Sequence, residues 1–482
     1  MAQTKAGHGR NLVRSQLMTG RGPILFIAAV AVAWAQCGPE QAERADALLA
    51  RRDLAGAQAI ANGCNSRAPF KVILGEIALR RGKVDEAERQ FRDVTSMDPR
   101  DPRAWFRLGQ VSEYTFNRAT AQDCFRRAHQ LAPGAAVVVL YWAMTLQGSE
   151  ADAAFETYLG LEKNADPRNA QRVRALIETR RALGGRKPFG LVSNYGRTQI
   201  RLEPVLRGRE LHAYRVPVSI NGGEAARLLL DTGAGGIVIN ANLAARFHIK
   251  RLAAATVSGL GDGGDTRGYV GIAERVRVGP VEFRDAVVTV SESPSVGGEQ
   301  GLLGTDIFEQ FLVTLDLPNG VVRLEPFAGI ADDRPTDRGF QSDPYMDRIY
   351  RIGHMLMVPT SVSGADPAMF VIDTGASQTL IGRDFAAELA RMRSAASMPL
   401  RGVSGQIDEV DAADDLKFRF GGFSVRCLDT LSINLKRHDD DVGMEVAGFL
   451  GFPILKLFSI TLDYRNGLVK FECPTAESKT KR

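Results

Sequence analysis

VPTSVSGADPAMFVIDTGASQ, residues 358–378, carries an apolar run straight into Asp373-Thr374-Gly375. A carboxylate at the end of a strand-like hydrophobic run is costly to bury unless something uses it. The phrase has a twin. VPVSINGGEAARLLLDTGAGG (216–236) aligns with it without a gap, and Asp231-Thr232-Gly233 falls 142 positions before Asp373-Thr374-Gly375. One Asp-Thr-Gly is a weak signal, expected by chance in about a tenth of chains this long. Two at the same point of an internal repeat are far stronger.

The repeat extends outward. INANLAARF (239–247) matches IGRDFAAEL (381–389), a short helix in both, and RVGPVEFR (277–284) matches RFGGFSVR (419–426). GLLGTDIFEQFLVTLDLPNGVVRLE (301–325) matches GFLGFPILKLFSITLDYRNGLVKFE (448–472), now offset by 147. Asn319-Gly320 and Asn466-Gly467 predict hairpin turns, and Asp316 and Asp463 strand ends before them. β-branched runs between Gly- and Asn-rich turns predict two copies of one β lobe, at 195–331 and 341–474. Polar joints at 183–194 and 332–340 separate the parts, and 475–482 is a polar tail.

Residues 37–182 are Ala-, Arg-, Leu- and Glu-rich with helical periodicity and a period of 34. Leu74-Gly75, Ala87, Phe91 and Pro99 recur as Leu108-Gly109, Ala121, Phe125 and Pro133. This resembles the tetratricopeptide repeat, with two good copies at 70–103 and 104–137. Small residues let paired helices approach, the Phe fills the gap, and Pro stops the second helix. The resemblance implies a protein partner on the helical repeats and no chemistry of its own.

The bulk numbers fit a multidomain globular chain of 482 residues, 44% hydrophobic and 24% charged. A net charge of +5 with no dense basic stripe points away from nucleic acid. Residues 1–36 predict an export signal: Arg10, Arg14 and Arg21 precede ILFIAAVAVAWA (24–35), with Ala33-Trp34-Ala35 before the cleavage point. The run is too short to span a bilayer, so no membrane span is expected after cleavage, and the location is periplasmic or secreted. Met18 is an alternative start. In an oxidising compartment Cys37–Cys64 and Cys427–Cys473 are candidate disulfides, with Cys124 a packed thiol. No Cys/His cluster has zinc spacing; neither metal nor cofactor is expected.

If the lobes face each other across a pseudo-twofold axis, Asp231 and Asp373 meet. Two adjacent carboxyls share a proton, so one can act as base on a water and the other as acid. At this point 195–474 resembles the aspartic proteases, more narrowly the bacterial retropepsin-like aspartyl proteases, with an all-β bilobal fold. The resemblance implies a catalytic pair Asp231 and Asp373 and a protein or peptide substrate. It implies an interlobe lock by Thr232 and Thr374, loop glycines Gly233 and Gly375, and supporting Gly304 and Gly451 behind the loops. It also implies a flap. SGLGDGGDTRG (258–268) is placed for one, with Gly259, Gly261, Gly263 and Gly264 suiting mobility, and GVSGQIDEVDA (402–412), with Gly405, is its counterpart. The Gly259-Gly261-Gly264 pattern is not a nucleotide site, because no helix follows. Asp262 and Asp265 read as solvated loop charges. Ala234 and Ala376 follow the glycines where pepsins have a hydroxyl, which predicts a weakly acidic to neutral optimum. The alternative is a non-catalytic peptide-binding adaptor built on a retired protease fold.

Overall fold

A computed structural model describes residues 37–161, 167–327, 346–387, 389, 392–394, 400–436 and 443–474. The expected signal at 1–36, the joint at 332–340 and the tail at 475–482 lie outside them. The chain forms two compact units, one through Leu74 and one from Gly75 onward.

The first unit holds α1 (Pro39–Ala50), α2 (Leu54–Gly63) and the start of α3 (Ala68–Arg80). Asp53 caps α2 by accepting from the Gly56 amide at 2.8 Å. A Cys37–Cys64 disulfide, with 5.5 Å between Cα atoms, ties the start of α1 to the end of α2.

In the second unit, α4 (Val84–Met97), α5 (Pro102–Tyr114), α6 (Arg118–Leu131), α7 (Ala136–Thr145), α8 (Gly148–Leu161) and α9 (Pro167–Leu183) continue the repeat. The period-34 glycines are where the packing demands them. A Cβ on Gly75 would stand 2.5 Å from the Phe91 ring, and one on Gly109 2.5 Å from the Phe125 ring. Cys124 is buried on α6, and burial pushes its thiol up to about 11.

These helices rest on the β region. Asp85 accepts from Arg348 at 2.7 Å, and the Glu445 amide donates to the Arg80 carbonyl at 2.7 Å. Phe116, in the α5–α6 turn, packs against Gly467, and α9 lies on the strand Ala253–Val257.

Among the described residues, lobe 1 is built on a nine-stranded sheet and lobe 2 on an eight-stranded one. In each, the run ending in Asp is a strand, Ala226–Leu230 or Ala368–Ile372. Each pairs in parallel with the apolar strand ending before a glycine: Leu230 opposite Leu303, and Ile372 opposite Leu450. Buried on both faces, these strands need continuous apolar sequence. A six-stranded sheet draws strands from both lobes. At its centre Phe311–Asp316 runs antiparallel to Ser459–Asp463, and the Thr314 and Thr461 hydroxyls meet at 3.0 Å. The hairpin glycines Gly320 and Gly467 have φ of 62° and 68°.

The expected Cys427–Cys473 disulfide is not formed; both thiols are free. Cys427 lies on Phe423–Ile433 of the lobe 2 sheet, whereas Cys473 follows Leu468–Glu472 of the six-stranded sheet. In this fold the two strands leave the sulfurs apart.

Candidate active site

The two Asp strands end side by side. The Asp231 amide donates to the Leu303 carbonyl at 3.0 Å and the Asp373 amide to the Leu450 carbonyl at 3.1 Å, so each turn hangs from its neighbouring strand. The threonines then cross. The Thr232 amide donates to Thr374 Oγ1 at 3.0 Å, and the Thr374 amide to Thr232 Oγ1 at 3.0 Å. Thr232 Oγ1 donates to the Ile372 carbonyl at 2.6 Å, and Thr374 Oγ1 to the Leu230 carbonyl at 2.9 Å. All the donors and acceptors of this buried square are satisfied by the opposite lobe.

Gly233 and Gly375 leave room for the opposite carboxyl. A Cβ on Gly233 would lie 2.8 Å from Asp373 Cγ, and one on Gly375 would collide with the Asp231 carboxyl. Gly233 donates its amide to Asp231 Oδ1 at 2.8 Å; Gly375 and Ala376 both donate to Asp373 Oδ1 at 2.9 Å. Gly304 and Gly451 are the close approaches behind the loops. A Cβ on Gly304 would stand 2.5 Å from the Ala234 carbonyl oxygen, and one on Gly451 would strike that of Gln378.

Asp231 is buried and Asp373 half-buried, and the two carboxyls interact directly. Burial raises the pKa of both. The neighbouring charge raises Asp231 further, and the loop amides pull both partly back. The pair therefore holds one proton between two carboxyls over a window above the ordinary carboxylate range.

The two predicted flaps touch each other. The lobe 2 hairpin, Leu400–Gly402 and Gly405–Ile407, meets the lobe 1 loop after Val257. The Ser404 amide donates to the Leu260 carbonyl at 2.9 Å, Gly263 to the Ser404 carbonyl at 2.8 Å, and Asp262 to the Gln406 carbonyl at 2.9 Å. A Cβ on Gly263 would stand 2.6 Å from the Ser404 oxygen, and one on Gly259 2.7 Å from Val403 Cβ. Gly261, Gly264 and Gly405 take φ of 135°, 76° and 100°. The flap glycines thus permit backbone-to-backbone contact between lobes, a role beyond the mobility expected of them. Asp262 is an exposed loop charge, as expected, but its carboxylate also accepts from the Asp408 amide at 2.7 Å and so clasps the flaps. Val403, at the lobe 2 flap tip, packs on an apolar patch of lobe 1 that includes Leu229, Ala234, Val296 and Leu302.

Sequence reasoning missed two groups. Asp306, in the 3-10 turn Thr305–Phe308, accepts from the Gly236 amide at 2.9 Å and so braces the lobe 1 loop. His354, from lobe 2, lies against the same loop; a Cβ on Gly235 would stand 3.0 Å from its Cγ. A signal for it existed: His212 and His354 are 142 positions apart, the spacing of the two aspartates.

Residues 216–307 and 358–454 each match the Aspartyl protease family, one stretch in each lobe. Each β lobe is thus similar to the aspartyl protease family. Residues 70–111 match the Tetratricopeptide repeat. DNA damage-inducible protein 1 of Neurospora crassa is 27% identical over 146 residues, covering 28% of this chain; the chain spans about a third (32%) of that relative's length. The solved aspartic proteinase from Irpex lacteus is 14% identical, with 60% of this chain and 100% of that one covered and a TM-score of 0.34. A retropepsin-like aspartic protease from Rickettsia conorii is 17% identical, with 28% and 95% covered and a TM-score of 0.21. The two β lobes follow a helical repeat, and no described helix is long and apolar enough to cross a membrane.

Proposed function

We propose that the chain is an exported aspartic endopeptidase whose catalytic pair is Asp231 and Asp373. The observation that carries this reading is the crossed threonine square, which holds the Asp231 and Asp373 carboxyls against each other at the lobe junction. A water held between them gives a proton to the ionised carboxylate as its oxygen attacks the peptide carbonyl carbon. The protonated carboxyl gives its proton to the carbonyl oxygen, leaving a neutral tetrahedral gem-diol. Return of a proton to the amide nitrogen lets the C–N bond break, and a diol hydroxyl surrenders its proton to the pair. Below the window both carboxyls are protonated and no base remains. Above it both are ionised and no acid remains. Because burial raises the pair, the optimum falls in the weakly acidic to neutral range.

The interlocked flaps must part to admit an extended peptide, and the Leu229–Leu302 patch supplies an apolar wall beside Asp231 for a side chain. The repeat helices brace the lobes through Asp85, Phe116 and α9, and their remaining surface is free to hold a protein partner. Export to the periplasm or medium rests on the signal-like residues 1–36, and the Cys37–Cys64 disulfide suits an oxidising compartment.

Turnover of an unstructured protein by the wild type, Asp231→Asn and Asp373→Asn tests the chemistry. Cleavage is expected from the wild type alone; equal turnover in all three refutes the reading. N-terminal sequencing of the protein recovered outside the cytoplasm tests export, with a start near Gln36 expected.

A further inference from the structure

We propose that the two aspartates hold unequal places: Asp373 carries the charge of the pair and Asp231 the proton, because Asp306 anchors the lobe 1 loop through Gly236 and leaves Asp231 one backbone donor short. The roles in the reaction rest on the peptidase reading; the placement of the proton rests on the geometry of the loops.

The two loops serve their carboxyls differently. In lobe 2 the Gly375 and Ala376 amides both donate to Asp373 Oδ1 at 2.9 Å. In lobe 1 the Gly233 amide donates to Asp231 Oδ1 at 2.8 Å, but the Ala234 amide donates to the main-chain carbonyl of Asp231 at 3.2 Å. Only a residual pull from Ala234 reaches the Asp231 carboxyl. Each backbone donor on a carboxyl favours the ionised form. Burial works in the same direction: Asp231 is buried, whereas Asp373 is half-buried and keeps more contact with water.

The difference starts behind the loops. Lobe 2 holds its loop at Ala376, whose carbonyl accepts from the Phe452 amide at 2.8 Å. Lobe 1 holds its loop two residues later, at Gly236. The Gly304 amide donates to the Gly236 carbonyl at 2.7 Å, and the Gly236 amide donates to Asp306 Oδ1 and Oδ2 at 2.9 and 3.1 Å. Gly236 takes a φ of 60° to reach this anchor, whereas its counterpart, Gln378, does not adopt positive φ. The residue matching Asp306 is Pro453, which offers no side-chain acceptor. Asp306 is thus a positioning residue: it fixes where the lobe 1 loop is held, and the Ala234 amide follows.

Other ionisable groups near the loop do not reverse the order. Burial holds the imidazole of His354, packed on Gly235, below its usual value, so it carries no full charge at neutral pH. Arg351 donates to Glu309 at 3.1 Å, and burial pushes the Asp306 carboxyl up. In the reaction, Asp373 then takes a proton from water as its oxygen attacks the peptide carbonyl carbon, and Asp231 protonates the carbonyl oxygen. Asp373 next hands its proton to the amide nitrogen, the C–N bond breaks, and a diol hydroxyl returns a proton to Asp231.

The test needs no turnover. Asp231→Asn leaves Asp373 as the one carboxyl of the pair, and Asp373→Asn leaves Asp231, each beside the same amide side chain. The remaining carboxyl, followed by 13C NMR in the full-length chain labelled at aspartate, should titrate about one pH unit or more lower for Asp373 than for Asp231, the effect of one further donor on a charged acceptor. Equal midpoints, or the reverse order, overturn the proposal. Added to both variants, Asp306→Ala frees the Gly236 amide and should shrink that difference to less than about half. Asp306→Asn, whose side-chain oxygen still accepts from Gly236, should keep most of it. An unchanged difference with Asp306→Ala, or equal shrinkage with both, overturns the positioning role of Asp306. Should Asp306→Ala fail to fold, the comparison of the two single variants still decides where the proton sits. Absence of peptide cleavage by the wild type would refute the peptidase reading alone, leaving the titrations to decide the placement of the proton.

Discussion

Where lobe 1 sets Ile237 opposite Val288 and Ile239 opposite Val290, lobe 2 sets Ile381 opposite Ser432, with Thr379 and Thr430 just before them. The hydroxyls of Thr379, Thr430 and Ser432 are buried with no hydrogen-bond partner among the described residues. Behind the active loop, Asp306 braces lobe 1 through Gly236, whereas the matching position in lobe 2 is Pro453. Yet the Thr–Thr square, the loop glycines and the glycines behind them are alike in both halves. The contrast shows which parts need twofold likeness. Atoms that meet across the axis must match, since each is the other's partner. Layers behind them need only fill space, and lobe 2 fills it less well.

The axis itself gives the largest expected effect. Asp231→Asn and Asp373→Asn should each cost about 10³-fold or more in kcat, and the double variant little more than either. A tenfold difference between the two singles would break the symmetry. Their stability should change the other way. The folded pKa of each aspartate lies above its unfolded value, so the pair stabilises the fold at low pH and loses that contribution as pH rises through the folded pKa. Either Asn variant should therefore resist urea better than the wild type at pH 7 and not at pH 4.

Next comes the square. Thr232→Val and Thr374→Val each leave a buried amide and carbonyl unpaired and should cost about 2–3 kcal/mol in urea unfolding. Equal losses support the twofold reading. The flap clasp is weaker: Asp262→Ala should lower kcat/KM by roughly 3- to 10-fold, chiefly through KM, since it loosens a contact that must open anyway. Smallest is the packing difference. Thr430→Val should stabilise by about 1 kcal/mol, and Val288→Thr should destabilise by a similar amount; the same sign in both would erase the contrast between lobes.

Much of this was legible because duplication writes each constraint twice. Asp231 and Asp373, the crossing threonines and the four supporting glycines stand at matched positions of one repeat, and so do the period-34 glycines and phenylalanines of the helical array. The Cys427–Cys473 expectation failed because sequence order does not reveal which sheet a strand joins. Glycines in a loop signal freedom or close approach alike, so the contact between flaps could not be read from Gly261 and Gly263. His354 escaped notice because its loop partner, Gly235, is 119 positions away in the chain and belongs to the other lobe.

The sequence by itself determined the two lobes, the site they share and the repeat array before them, since periodicity and duplication are properties of the linear chain. Only the tertiary structure decided the clasp of Asp262 on the opposite flap, the seating of the helices on both lobes and the place of His354 against Gly235. Those depend on which surfaces meet across the pseudo-twofold axis, and contacts between segments so far apart leave no local pattern to read.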